Sequence, residues 1–128
     1  MSKDKEIAKK TVQTEIQALK KLLSSFNGSS NFSKAVNLLS KMKGKCLVVG
    51  VGKSYIVSLK VSATLSSLGT PSVAFSANDL QHGGLGAIQK NNDVLLIFSV
   101  SGESSELNSI LRYANRNTMS ASISQNTI

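Results

Sequence analysis

Between Lys45 and Ser54 the chain reads Lys-Cys-Leu-Val-Val-Gly-Val-Gly-Lys-Ser, and no other stretch narrows the possible folds as much. Its first half is short, apolar and rich in β-branched residues, which suits a strand buried on both faces of a parallel sheet. Its second half replaces side chains with glycine. Beyond it Tyr55, Ile56, Leu59, Val61, Ala63, Leu65 and Leu68 recur at helical spacing until Gly69 and Pro71 end the pattern, so the glycines join a strand end to a helix start. At such a junction Gly50 and Gly52 let the backbone approach a ligand, and the first helical amides favour an anion. A phosphate is the natural occupant. Gly-Lys-Ser invites comparison with the nucleotide P-loop, but that motif needs a glycine where this chain has Leu47, inside the strand. The expectation is a shorter turn that holds one phosphate through Ser54 and nearby amides, with Lys53 as a mobile cation. Glycine-rich turns of this kind also serve as purely structural junctions, so a second element has to decide between the two readings.

That element comes after Val94-Leu95-Leu96-Ile97-Phe98, the clearest buried strand in the chain. Ser99-Val100-Ser101-Gly102-Glu103-Ser104-Ser105-Glu106 places four hydroxyls and two carboxylates between the strand and a helix marked by Leu107, Ile110, Leu111 and Ala114. One serine and one glutamate are enough to cap a helix. The surplus predicts an anion site with hydroxyl as well as amide donors. Ser72-Val73-Ala74-Phe75 reads as another short strand. From Ser76 to Gln89 the chain makes a partly helical excursion, in which His82 is followed by Gly83, Gly84 and Gly86. A lone histidine is most often a capping or packing residue, yet one flanked by glycines on an excursion loop is open to a ligand. Both serine- and glycine-rich turns fall at the carboxyl ends of predicted parallel strands, where open α/β sheets bind their ligands.

Ahead of this core, Ile7, Val12, Ile16, Leu19, Leu22 and Leu23 form the apolar stripe of an amphipathic helix that ends near Phe26-Asn27-Gly28. A second helix is predicted from about Phe32 to Met42, closed by Gly44. Neither carries a cluster of reactive groups, so both are expected to pack over a sheet face or against another subunit. With 128 residues, 41% of them hydrophobic, there is room for one domain with a single core. No apolar run nears the roughly 18 to 20 residues of a membrane span, and the charged start lacks the apolar stretch of a secretory signal, so a cytoplasmic protein without membrane attachment is expected. The single cysteine, Cys46, lies in the predicted buried strand. It cannot form an internal disulfide or a cysteine-based zinc site, and apolar surroundings make it a poor nucleophile. The net charge of +8 is spread over lysines of solvated helix faces with few aromatics between them, and no nucleic-acid-binding motif is present, so nucleic acid is not an expected partner.

Taken in order and spacing, Gly50-Val51-Gly52-Lys53-Ser54, Gly69-Thr70-Pro71-Ser72, His82-Gly83-Gly84-Leu85-Gly86 and Ser99-Val100-Ser101-Gly102-Glu103-Ser104-Ser105-Glu106 resemble the sugar isomerase (SIS) domain of arabinose-5-phosphate isomerases. The resemblance runs from about Lys43 onward and more loosely through the amino-terminal helices. It implies a three-layer αβα sandwich with a parallel, flavodoxin-like sheet, residues 45–128 forming the SIS domain and residues 1–44 the helices packed on it. It also implies interconversion of D-arabinose 5-phosphate and D-ribulose 5-phosphate, on the route to the Kdo sugar of bacterial lipopolysaccharide, with no metal and no cofactor. Carried over by motif, the phosphate and substrate ligands are Gly52, Ser54, Ser99, Ser101, Gly102, Glu103 and Ser104, with Gly102 allowing the turn. Lys53, His82 and Glu106 match positions implicated in catalysis: Glu106 as acid/base, His82 in ring opening, Lys53 against developing negative charge.

The departures from the pattern bear on activity. Ser76, Ala77 and Asp79 stand where the family has histidine, proline and glutamate; Gly84 stands for an aspartate and Val100 for an asparagine. Ser120-Ala121-Ser122-Ile123 is the predicted fourth strand, so a fifth strand, the last helix, a further catalytic glutamate and histidine, and the pair of CBS domains common in these enzymes are expected to be missing. Two classes of function stay open: an isomerase or a fragment of one, and a non-catalytic sugar-phosphate-binding module. A homodimer or homotetramer is expected in either case.

Overall fold

The computed structural model describes residues 2–28, 30–102, 104–116 and 120–125. The chain divides into two compact units, one of residues up to Lys34 and one from Ala35 onward. In the first, α1 (Lys3–Ser25) opens with Asp4 and Glu6 in its first turn, where carboxylates oppose the helix dipole. None of its residues is buried, and the whole stripe predicted from the sequence is exposed, Leu19 by 64% and Leu23 by 70%. Past the end of α1, Phe26 meets Phe32 edge to face, with ring centroids 5.0 Å apart. Phe32 belongs to α2 (Ser30–Ser40), which runs on into the second unit.

The second unit is an α/β fold around four parallel strands: β1 (Cys46–Gly50), β2 (Ser72–Ser76), β3 (Val94–Ser99) and β4 (Ser120–Gln125), in the order β2-β1-β3-β4. The four strand positions and the parallel, flavodoxin-like arrangement agree with the sequence reading. Cys46 lies opposite both Ser72 and Val94, and Val94 opposite Ser120, so the strands start level. All five residues of β1 are buried, as its uninterrupted apolar run requires.

Period-two alternation sorts the side chains of β1 between two faces. Leu47 and Val49 join Leu95 and Ile97 of β3 in a buried cluster with Ala77 and Leu80 of α4 (Ala77–Gln81) and Leu107, Ile110 and Ala114 of α5 (Ser105–Arg116). A Cβ on Gly50 would point the other way and run into the Ser54 carbonyl and the Tyr55 amide of α3 (Lys53–Ser67). α3 therefore covers the opposite face, at a distance that excludes even a methyl group at Gly50. Its buried residues are Ser58 and Ser62, one turn apart, while Ile56, Leu59 and Leu68 are exposed. Ser58 donates to the Ser54 carbonyl at 2.9 Å, and the Ser72 hydroxyl donates to the Cys46 carbonyl at 3.1 Å and lies 3.2 Å from the Ser62 hydroxyl. The apolar periodicity marked a helix, but small hydroxyl residues make the close approach.

At the amino ends of β1 and β3 a buried aspartate ties the sheet to its loops. Asp93, whose side chain has no solvent exposure, accepts from the Lys45 amide and from Lys45 Nζ, both at 2.8 Å, and from the Gln89 amide at 2.8 Å. Lys45 Nζ also reaches the Ala87 carbonyl at 2.9 Å. Burial pulls the Asp93 carboxyl upward, but the hydrogen bonds from Lys45 and Gln89 and the Lys45 charge outweigh it and hold it below the usual carboxylate range. Burial alone acts on Cys46 and pushes its thiol up to about 11, so it stays protonated at neutral pH.

Candidate phosphate-binding crevice

The strand order fixes where a ligand fits. From β1 the chain crosses through α3 to β2 on one side, and from β3 it crosses through α5 to β4 on the other. The two helices diverge between β1 and β3, and a topological switch point of this kind leaves a crevice beyond the carboxyl ends of the strands. Gly50 and Phe98 are register partners, so the turns that come after them lie side by side.

A crevice of about 290 Å³ opens there, lined by Val51, Lys53, Ser54, Phe98, Ser99, Val100, Ser101 and Ser104. It gathers five of the residues singled out from sequence, namely Lys53, Ser54, Ser99, Ser101 and Ser104. The backbone of the first turn depends on Gly52, which caps α3 at φ 55° and ψ −121°, a conformation that disfavours any side chain. Gly50 acts differently, since its missing Cβ is what lets the first turn of α3 sit against β1. The Ser54 and Tyr55 amides donate to the Val51 and Gly52 carbonyls at 3.0 Å each, which closes the first turn of α3.

In the second turn the buried Ser99 hydroxyl accepts from the Gly102 amide at 2.8 Å, and Gly102 takes φ +72°. Ser99 thus closes the turn that presents Ser101 and Ser104. Glu103 lies outside the described residues. α5 starts at Ser105, and Ser104 takes the first helical hydrogen bonds on its carbonyl, from Leu107 at 3.0 Å and Asn108 at 3.2 Å. Two helix amino termini, each carrying the partial positive charge of its dipole, flank one crevice. Lys53 adds a full charge and is exposed, with no ion pair among the described residues.

His82 and Glu106 are not among the lining residues. His82 is exposed and succeeds α4 as its carboxyl cap, and its amide donates to the Asn78 carbonyl at 3.1 Å. Glu106 is half-buried in the first turn of α5, and its carboxylate accepts from Ser105 at 3.2 Å. The two segments are joined by Gln81, whose side-chain amide donates to the Glu106 carbonyl at 2.6 Å. Sequence reasoning missed Gln81, because nothing local relates residues 25 apart, and it missed the apolar wall of Val51, Phe98 and Val100. For the wall a signal was present: these residues sit at strand ends beside the glycines and serines.

The departures acquire structural explanations. Ser76 ends β2 and caps α4, accepting from the Asp79 amide at 3.1 Å and donating to the Asp79 carboxylate at 2.7 Å. The residues that replace histidine and glutamate thus build a reciprocal cap for the helix that leads to His82. At Gly84 a Cβ would come within 3.1 Å of both the Asp79 carbonyl and Leu80, so an aspartate fits only if they shift.

The sequence pattern of the SIS domain matches residues 38–125. The arabinose 5-phosphate isomerase KdsD of Pseudomonas aeruginosa is 40% identical over 104 residues, covering 81% of this chain and 31% of that protein. An Escherichia coli CFT073 protein solved in complex with arabinose 5-phosphate superposes with a TM-score of 0.85 at 29% identity, covering 99% of this chain and 67% of that one. The sugar isomerase domain of an RpiR transcription factor from Sphaerobacter thermophilus shares the fold, with a TM-score of 0.72 at 19% identity over 91% of this chain and 66% of that one. The chain spans about a third of the length of the curated relatives it matches.

Proposed function

The chain belongs to the SIS domain family, and from that premise we propose that it binds a pentose 5-phosphate and is a sugar-phosphate isomerase, or part of one, of the aldose-ketose class that interconverts arabinose 5-phosphate and ribulose 5-phosphate. The observation that carries the reading is the convergence of Lys53, Ser54, Ser99, Ser101 and Ser104 on one crevice between two helix amino termini. A phosphate dianion seated there meets hydroxyl donors, the positive ends of two helix dipoles and a cation, a preorganised set suited to the charged group.

Isomerisation then asks for three things: opening of the sugar ring, removal of the proton on the carbon beside the carbonyl, and its return to the neighbouring carbon. Glu106 serves as the base that takes and returns that proton through an enediolate, His82 relays protons during ring opening, and Lys53 offsets the developing negative charge. Neither His82 nor Glu106 lines the crevice, which favours a second reading, a module that binds the sugar phosphate without turning it over. Metal and cofactor are not required by either reading. The protein is proposed to act as a homodimer or homotetramer in the cytoplasm; among the described residues no helix is long and apolar enough to cross a membrane.

Titration calorimetry with arabinose 5-phosphate, ribulose 5-phosphate and the unphosphorylated sugars tests the site, and an arabinose-to-ribulose phosphate assay on the same sample separates the two readings. Binding of the phosphorylated sugars alone supports the crevice. Equal affinity for plain and phosphorylated sugars refutes it.

A further inference from the structure

We propose that Gln81 is a positioning residue, which ties the His82 turn to the first turn of α5 so that His82 and Glu106 are held together toward a ligand in the crevice; the inference rests on the sugar-phosphate reading of that crevice. α4 has only five residues, and a helix that short does not persist by its own backbone hydrogen bonds. It is held at both ends by side chains. Ser76 and Asp79 close its amino end, and Gln81, its last residue, is anchored through Nε2 on the Glu106 carbonyl at 2.6 Å. Leu80 and Leu107, the neighbours of Gln81 and Glu106, share the buried cluster beneath. Apolar contact fixes how close the two helices lie but not how they are turned, because it has no direction. A hydrogen bond has one.

The backbone just beyond Gln81 makes the tether consequential. His82 leaves the helix at φ −91° and ψ 36°, Gly83 turns at φ +119°, and a Cβ on Gly83 would meet nothing within 4 Å. On its far side the histidine is followed by this exposed glycine, whose carbonyl accepts from the Gly86 amide at 3.0 Å. A side-chain tie between this segment and α5 lies a single residue before it, and that tie ends on the backbone of the residue assigned as acid/base. Gln81 is exposed and outside the crevice lining, so its part is played through the two residues it joins.

The chain has one histidine, so imidazole signals in an NMR spectrum belong to His82 alone. The test compares the wild type with Gln81→Met, which keeps length but removes the donor, and Gln81→Lys, which restores one. In the ligand-free protein, Gln81→Met is expected to lower the heteronuclear NOE of the His82 and Gly83 amides, and Gln81→Lys to recover it. On saturation with arabinose 5-phosphate, the imidazole displacement in Gln81→Met should fall to about half of wild type or less, while the dissociation constant moves by less than about twofold, since phosphate is gripped elsewhere. An unchanged NOE and displacement in Gln81→Met overturns the proposal, and so does a dissociation constant weakened about tenfold, which would make Gln81 a direct ligand residue. Absence of arabinose 5-phosphate binding in the wild type overturns the sugar-phosphate reading instead, and the ligand-free NOE still decides whether the tether exists.

Discussion

A hydroxyl at the end of a serine turn contributes to anion binding only if the backbone beneath it is fixed, and here glycine does the fixing. Gly102 at φ +72° and the Ser99 hydroxyl on its amide hold the second turn, while Gly52 at φ 55° shapes the first. Replacing Ser104 by alanine should remove one charge-assisted hydrogen bond to phosphate and weaken binding of arabinose 5-phosphate by about 1.5 to 3 kcal/mol, roughly tenfold to a hundredfold in calorimetry. Glu106→Gln keeps shape and removes the base, so binding should persist while any turnover is lost, as read by calorimetry and the isomerase assay side by side. Gly50→Ala tests packing instead of polarity. Its methyl group would collide with the backbone of Ser54 and Tyr55, so denaturant unfolding should show a loss of about 1 to 3 kcal/mol, with phosphate binding weakened as the first turn of α3 moves. The sequence singled out Lys53, Ser54, Ser99, Ser101 and Ser104, and the fold brings them to one crevice. That Gly50 serves helix packing was not legible in the sequence, because its constraint comes from atoms of a helix whose distance from the sheet no local pattern states.

At the scale of elements, the sheet is locked at the end away from the crevice by Lys45, Gln89 and Asp93, three residues that belong to no motif. Because the folded-state pKa of Asp93 lies below its unfolded value of about 3.9, its contribution is fully present above that value and is lost as the pH falls through the folded pKa. Acid unfolding followed by circular dichroism should therefore show a loss of stability below about pH 4, and Asp93→Asn should flatten that part of the curve. The same substitution weakens the charge-assisted bonds to Lys45 and should lower stability at neutral pH by about 1.5 to 3 kcal/mol in urea unfolding. An unchanged acid limb in Asp93→Asn would show that other carboxylates govern it.

Among the described residues, α1 and α3 carry rows of apolar side chains left in water, and Phe32 and Val36 of α2 are exposed as well. α1 exposes Ile7, Val12, Ile16, Leu19, Leu22 and Leu23, and α3 exposes Ile56, Val57 and Leu59 on the side away from the sheet. Apolar groups arranged in rows rather than singly mark surfaces that meet a partner, and each row fits burial against another copy. Light scattering coupled to gel filtration at micromolar protein is expected to give a dimer or tetramer mass. Ile56→Asp combined with Leu59→Asp should reduce that mass if α3 takes part; a monomer in the wild type would contradict the assembly.

The sequence by itself determined the alternation of strand and helix, the parallel sheet, the two glycine- and serine-rich turns proposed to hold phosphate and the family to which they point. Each of these is written in a local pattern, an apolar run, a glycine pair or a 3.6-residue stripe, because a strand or helix buries its own side chains by its own period. Tertiary structure alone decided the rest. It chose Ser58 and Ser62 over Ile56 and Leu59 as the buried face of α3, placed Ser54 beside Ser99, and joined Lys45 to Asp93 across 48 positions and Gln81 to Glu106 across 25. Those choices depend on how near one element lies to another and in which register, and the distance between elements is set by the assembled core, where a missing methyl at Gly50 counts for as much as any side chain that is present.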